Sequence, residues 1–320
     1  MISDMFKGVL FALGACLVWG LIFVVPGFMA EFSSIEIALG RYSFYGLISL
    51  IFFLKAKFRK KFNYPSTIWF KGLYFSLSIV GYYTALVFSL RYASPAIAAL
   101  ILGVSPITIA FYGNWKRKEI TFKSLFTPSI MILVGLFIIN IPHFQQTSSP
   151  ASYILGIGCA LISLGSWTWY VVANAHFLKH HPHVSSGDWS TLMGVSMLFW
   201  VFLMITFLSL FCDPQLHLEM FQSLNNESIR FLGGSAILGL LCSWVGAFLW
   251  NQASLRLPTP LAGQLTVFET IFGVIFVYLL AQSLPSPLEI IGMVILFIAV
   301  LYCIRKFSKN KTYNKQISPH

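Results

Sequence analysis

Ten stretches of about 20 mostly uncharged residues follow one another along this chain, each the length an α-helix needs to cross a bilayer. They fall at 6–30, 34–54, 69–90, 95–115, 123–141, 153–177, 189–211, 230–254, 258–281 and 287–304. Pro65, Pro95, Pro142, Pro150, Pro182, Pro214, Pro258 and Pro285 lie at or near the proposed ends, as chain breakers should. Charged residues make up only 10% of the sequence and hydrophobic ones 57%, whereas a soluble domain carries about 25% charged residues to cover its surface. Most of this surface must face hydrocarbon. The expected fold is an all-α integral membrane protein of about ten transmembrane helices. The first apolar stretch, Gly8 to Ala30, exceeds the 7–15 residues of a signal-peptide core and reads as a retained helix.

A net charge of +11 raises the question of nucleic acid, and the location of the charge answers it. Lys55, Lys57, Arg59, Lys60 and Lys61 form one run, Lys116, Arg117 and Lys118 another, and Arg305, Lys306, Lys309, Lys311 and Lys315 a third. Every run falls between or after apolar stretches, on what would be one side. The other side holds Glu31, Arg91, Glu289 and a 212–230 loop with Asp213, Glu219, Glu227 and Arg230. This is the positive-inside distribution. It places both termini in the cytoplasm, makes the lipid bilayer a partner and gives no reason to expect nucleic acid. Cys16, Cys159, Cys212, Cys242 and Cys303 are scattered singly, without a CxxC pair, so no metal site, redox motif or cofactor is expected. His176, His180, His181 and His183 cluster, but no acid or thiol joins them in register, and they read as a solvated loop.

The chain also repeats itself. Residues 81–95 (GYYTALVFSLRYASP) match 246–260 (GAFLWNQASLRLPTP) at one offset: Gly81 on Gly246, Ser89-Leu90-Arg91 on Ser254-Leu255-Arg256, and Pro95 on Pro260. Leu100 and Leu265 continue the register. At a shorter offset Gly8, Ala12, Leu13 and Trp19 fall on Gly156, Ala160, Leu161 and Trp167. The change of offset places an insertion in the 212–230 loop. The expected organisation is a first repeat at 1–145, a second at 146–308 and a polar cytoplasmic tail at 309–320. Five helices per half is odd, so the halves are inverted, and Arg91 and Arg256 lie on opposite sides. Inverted repeats are a recurrent architecture of alternating-access carriers, with the site near the midplane between them.

Several short patterns have a familiar order. They are Gly14-Ala15-Cys16-Leu17-Val18-Trp19-Gly20 in the first helix, Arg41-Tyr42 in the second, and Ser105-Pro106 leading to Lys118-Glu119 in the fourth. Glu269 in the ninth and Ile291-Gly292 in the last complete the set. In this the chain resembles the EamA type of the drug/metabolite transporter superfamily, over roughly Gly8 to Ile304. It departs where Thr270 replaces the usual proline after Glu269, and where Gln282 or Ser283 stands at the usual Gly-Glu. The resemblance implies a ten-helix secondary carrier of amino acids, other metabolites or drugs, often working outward.

Ionisable groups at membrane depth are costly and so informative. Glu269, near the middle of the ninth stretch, reads as a protonation or substrate-amine site, or as a neutral acid tying helices together. Arg41 reads as a carboxylate attractor, a partner of Glu269 or Glu36, or a snorkelling anchor. Glu36 and Glu289 sit near their helix ends and read as interfacial. Trp167, Tyr170 and Asn174 share a helix face, and Trp244, Asn251 and Gln252 are close in register. With Trp19, Tyr82, Tyr83 and Gln264 they are candidates to line a cavity. The alternative for the amides is hydrogen bonding between helices, since an amide facing lipid has no partner. Pro106 is a candidate hinge.

The function expected is secondary active transport of a small metabolite, an amino acid for export first. A nucleotide-like metabolite such as a methyl donor, taken up or exchanged, is the alternative. No GxxxxGK[ST] sequence is present, so energy must come from gradients, with protons as a candidate partner. An intramembrane enzyme would need convergent acids, bases or metal ligands. The chain has no HExxH and a single central acid, so no enzyme is expected. Two repeats in one chain can form the whole pathway, as a monomer or within a homodimer.

Overall fold

The computed structural model describes residues 4–58, 62–93, 95–141, 150–211 and 225–308. Arg59, Lys60 and Lys61, the proposed boundary at 145, the 212–224 part of the insertion and the 309–320 tail lie outside these, as do the side chains of Arg91 and Arg117. The described elements are all helical: α1 (Asp4–Gly20), α2 (Ser34–Phe58), α3 (Ser66–Tyr92), α4 (Pro95–Gly103), α5 (Ser105–Arg117), α6 (Phe122–Asn140) and α7 (Pro150–His180) in the first part. Then follow α8 (Ser186–Phe211), α9 (Asn226–Ile237), α10 (Gly246–Arg256), α11 (Thr259–Leu265), α12 (Val267–Leu280) and α13 (Pro287–Ser308). Among the described residues nine helical segments are long and apolar enough to cross a membrane. The tenth crossing is α4 plus α5, and its break leaves each piece short.

Three interruptions were not legible beforehand. The fourth crossing breaks at Val104, and Pro106 sits in the first turn of α5, where a proline has no intrahelical bond to lose. The interruption is a single turn at Val104, two residues before Pro106, with Val104 still in right-handed helical backbone. The ninth crossing breaks at Thr266, between α11 and α12, and the Thr266 hydroxyl donates to the Gly263 carbonyl at 2.6 Å. The eighth crossing carries a π-helical turn, Leu238–Val245, between α9 and α10. Single π turns inside α-helices frequently mark functional sites.

Helix starts follow local chemistry. Glu36 and Glu289, expected at the interface, stand in the first turns of α2 and α13, where each closes a capping box and is buried by its neighbours, at 4% and 3% exposure. The Ser33 N–H donates to the Glu36 carboxylate at 2.7 Å, and the Glu36 N–H to Ser33 Oγ at 3.3 Å. Ser286 and Glu289 repeat this arrangement at 2.7 and 3.3 Å, and the Tyr278 hydroxyl also donates to Glu289 at 2.7 Å. The histidine cluster is not wholly a loop. α7 runs on to His180, so His176 and His180 stack within a helix at 4.0 Å between centroids.

The packing of the crossings has a regularity of its own. Counted in chain order, the third packs on the sixth (α3 on α7) and the first on the eighth (α1 on α10). The second packs on the seventh (α2 on α8), the fourth on the ninth (α5 on α11) and the fifth on the tenth (α6 on α13). Exchanging every crossing for the one five places away returns the same set of pairs. Following ten crossings brings the start of α1 and the end of α13 to one end, with Lys57, Lys118, Arg256 and Arg305; it is called the basic end below.

Small residues permit these approaches. Gly239 of the π turn lies against α2 so closely that a Cβ there would stand 2.6 Å from Phe44 Cβ and 2.9 Å from the Arg41 carbonyl oxygen. The neighbouring backbone cannot yield as a side chain would. Gly239→Ala is expected to cost about 1–3 kcal/mol by overpacking, read as a lower melting temperature of the purified protein in detergent.

Candidate functional site

The first crossing explains one sequence pattern directly. At Gly20 a Cβ would meet Phe272 Cβ at 3.0 Å and the Gly273 backbone nitrogen at 3.1 Å, so the glycine of the Trp19-Gly20 pair lets α1 lie on α12. That contact sets Trp19 and Cys16 beside the first turn of α12, where Glu269 stands. The Cys16 thiol is directed at the Leu265 carbonyl at 3.5 Å. Glu269 is thus in the first turn of α12, the end where a helix dipole favours negative charge. Among the described residues its carboxylate has no hydrogen bond or ion pair. Trp19, beside it, shares the Cys242 carbonyl with Arg41 of α2.

Aromatic rings from α1, α2, α3, α7 and α10 gather around Trp19 and Tyr42. Trp19 meets Trp167 edge-on at 6.0 Å and Trp250 at 5.5 Å. Trp167 lies at 5.1 Å from Tyr82 and 5.5 Å from Tyr170. Tyr42 meets Tyr83 edge-on at 5.9 Å, with the Arg41 guanidinium 5.4 Å over the Tyr42 ring. An apolar cleft between α2, α3 and α8, lined by Leu39, Val80, Val201 and Met204, adjoins Tyr42 and Tyr83. Of the sequence candidates, then, the fold gathers Trp19, Tyr82, Tyr83, Trp167 and Tyr170 with Arg41 and Glu269.

The other candidates lie elsewhere. Asn174 and Asn251 are buried toward the basic end, where Asn174 Nδ2 donates to Asn251 Oδ1 at 2.9 Å. Trp189 Nε1 donates to Asn174 Oδ1 at 2.7 Å and Asn251 Nδ2 to Ser190 Oγ at 3.1 Å. Of the two possibilities for these amides, the geometry takes hydrogen bonding between helices. Gln252 accepts from Arg256 through both its backbone and side-chain oxygens. Gln264 is buried in α11, with Nε2 at 3.5 Å from Ser129 Oγ of α6. Trp244 donates to Thr191 Oγ1 at 3.1 Å and packs on Phe52 and Phe248.

Sequence reasoning also missed several participants. Arg41 Nε donates to Ser243 Oγ at 2.9 Å, and Nη2 points to the Cys242 carbonyl at 3.5 Å. Trp19 Nε1 donates to that same carbonyl at 2.9 Å. All of this depends on the π turn, which no residue pattern announces. A second group lies toward the basic end. Glu119 accepts from the Thr259 N–H at 2.9 Å and faces Lys179 at 4.0 Å, while Lys179 donates to the Leu257 carbonyl at 2.7 Å. The Lys118-Glu119 pattern signalled this place without its role. Nearby, outside the membrane spans, Tyr64 donates to Asp188 at 2.7 Å. Burial, reinforced by that bond, pushes the Tyr64 phenol up to about 12, so the contact keeps its proton throughout physiological pH.

The chain can now be set beside known proteins. The model of the EamA-like transporter family matches residues 6–141. Inner membrane protein YtfF of Escherichia coli (strain K12) is 30% identical over 322 residues, covering 94% of this chain and 96% of that protein. A transporter of Bacillus subtilis (strain 168), YyaM, described as uncharacterized, is 24% identical over 71% of each chain. A crystal structure covering 94% of this chain and 98% of its own superposes with a TM-score of 0.76 at 16% identity, a likeness of fold alone. With helices that suit a bilayer, a family model that matches its first part and a relative 30% identical over nearly its whole length, the chain belongs to the EamA-type transporters of the drug/metabolite transporter superfamily.

Proposed function

We propose that this transporter exports an amino acid by alternating access, with the substrate held between Glu269 and Arg41. The observation that carries the reading is that an acid and a guanidinium belong to one aromatic neighbourhood around Trp19, with no ion pair between them among the described residues. A zwitterion supplies the complementary charges, its ammonium to Glu269 and its carboxylate to Arg41. Trp19, Trp167 and Tyr82 then receive the side chain, and aromatic faces also favour a cation. Glu269 takes the coupling proton when substrate leaves.

Broken helices at the site support the mechanism, because discontinuous helices near the midplane recur in secondary transporters. So does the exchange symmetry of the packing, which fits repeats at 1–145 and 146–308. The Glu119–Lys179 group and the Asn174–Asn251 network would be the closed cytoplasmic gate, with both termini inside as the basic loops imply. The inner membrane is the proposed location, as for YtfF, and one copy of the chain contains the pathway. Export rests on the habit of the family.

The test is uptake of a panel of labelled amino acids into proteoliposomes, with and without a pH gradient. Saturable uptake of at least one zwitterionic amino acid, raised by the gradient, is the expected result. If none moves, the amino-acid assignment fails. A nucleotide-like metabolite is the second reading, since Trp167 and Tyr82, their rings tilted 34° to each other, supply aromatic faces on which a base can stack. Such compounds form the next panel.

A further inference from the structure

Two charges toward the basic end grip the turn between α10 and α11. α10 stops at Arg256 and α11 starts at Thr259, so helix-end groups there lack intrahelical partners, and Pro258 between them has no N–H to offer. Two such groups are the Leu257 carbonyl and the Thr259 N–H, in residues only 1% and 2% exposed. Lys179 Nζ donates to the first at 2.7 Å, and Glu119 accepts from the second at 2.9 Å. The two charged groups face each other at 4.0 Å, with side chains 18% and 10% exposed. Each charge thus satisfies a backbone group that water hardly reaches.

Glu119 reaches across because its own segment is fixed. α5 ends on Lys118 in left-handed backbone, φ 52°. The buried Asn114 then bonds Ile120 twice, Nδ2 donating to its carbonyl at 2.8 Å and Oδ1 accepting from its N–H at 2.9 Å. Glu119 stands between these fixed points. It follows the fourth crossing, whereas Lys179 ends α7 and the gripped turn joins α10 to α11, so the contact ties the first five crossings to the last five.

The opposite end has a similar turn without these charges. α12 is the second piece of its crossing, as α5 is, and it too is followed by a left-handed residue, Gln282, φ 49°. Among the described residues Lys118 and Gln282 are the two non-glycines with positive φ. Ser283 then stands where Glu119 stands at the basic end. In the register that sets Trp19 on Trp167, Lys179 falls on Glu31, whose carboxylate accepts from Arg230 at 2.7 Å. That pair is nearly half exposed, at 48% and 42%, and a solvated ion pair contributes little.

We propose that Glu119 and Lys179, set by Asn114, form a one-sided latch: with no substrate bound the protein rests closed at the basic end, and the opposite end opens more readily. The inference rests on the alternating-access reading given above. Removing either charge takes the partner from a buried backbone group, which water entering the basic end then satisfies, so the balance shifts toward opening there.

The experiment needs no substrate, because the repeated Ser-Leu-Arg segments supply matched reporters. Ser89 and Ser254 are 0% and 1% exposed, and neither hydroxyl has a hydrogen-bond partner among the described residues. Ser254 lies about one turn before the gripped corner, and Ser89 about one turn before the end of α3 at the opposite end. Ser89→Cys and Ser254→Cys are made separately in the full chain. Their modification by a charged, water-soluble methanethiosulfonate is timed in detergent, with the site located by peptide mass spectrometry. Ser89→Cys is expected to react at least about tenfold faster than Ser254→Cys, the factor that one hydrogen bond to a charged group sets. Adding Lys179→Met or Glu119→Ala should speed Ser254→Cys about tenfold and slow Ser89→Cys, since one end opens at the expense of the other. A merely misfolded variant would speed both. Lys179→Arg should leave both rates unchanged, and where Glu119→Ala does not fold, Glu119→Gln takes its place. Equal rates of the two reporters in the otherwise unaltered chain overturn the latch, as does a Ser254→Cys rate that the added substitutions leave unchanged. Either result leaves alternating access standing. If both reporters speed up at an unchanged melting temperature, the two ends open independently, and alternating access falls together with the latch.

Discussion

Glu269→Gln is expected to remove the response to a pH gradient completely, because glutamine keeps the shape of the side chain but cannot carry a proton on and off. Binding should weaken as well. A hydrogen bond to a charged group contributes about 1.5–3 kcal/mol, so the loss of the carboxylate charge should raise KM roughly 10–100-fold for a substrate bearing an ammonium. The measurement is uptake by wild-type and variant proteoliposomes, side by side, across a range of external pH. Residual exchange without a pH response would separate coupling from binding. Uptake that still follows the gradient in the variant would take the coupling role from Glu269 and leave the family and fold untouched. No loss of folding is expected, since the carboxylate holds no other group in place and replacing it relieves the cost of a charge at depth.

The second large effect is on stability rather than transport. Asn174→Leu preserves volume but strands two buried groups at once, the Trp189 indole N–H and the Asn251 side-chain oxygen. Each buried group left without a partner costs about 1–3 kcal/mol, hence about 2–6 kcal/mol together. Chains of 150–250 residues lose about 2–4 °C per kcal/mol, so a fall of about 5 °C or more is expected in a thermal-unfolding assay in detergent. A residue lining the substrate path would behave differently, changing KM with little change in melting temperature. The pair of measurements therefore decides which of the two roles the amide has. A variant that transports poorly yet melts like wild type would return Asn174 to the cavity.

These two residues also mark the limits of reading the chain. Glu269 stood out in the sequence because a lone acid amid apolar residues is conspicuous by its transfer cost, wherever its neighbours are. Asn174 was equally conspicuous, but its sequence left cavity and network equally open. Whether an amide meets water or another amide depends on the rotation of α7 against α8 and α10, and no single residue encodes that rotation. For Glu36 and Glu289 the sequence suggested a position but not a role. Ser33-x-x-Glu36 and Ser286-x-x-Glu289 are capping-box spacings present in the sequence, and the structure shows both boxes closed.

What the sequence by itself determined are the quantities that add residue by residue. The number of crossings, the sidedness of the basic loops, the repeated Ser-Leu-Arg segments and the central acid all follow from transfer free energies and charge summed along the chain. The tertiary structure alone decided the breaks at Val104 and Thr266, the π turn at Leu238–Val245 and the partner of Arg41. Ser243 lies 202 positions from Arg41, and between them no periodicity or composition carries information about distance. That pairing is set by helices packing through their glycines, and by the need of each donor out of water to find an acceptor.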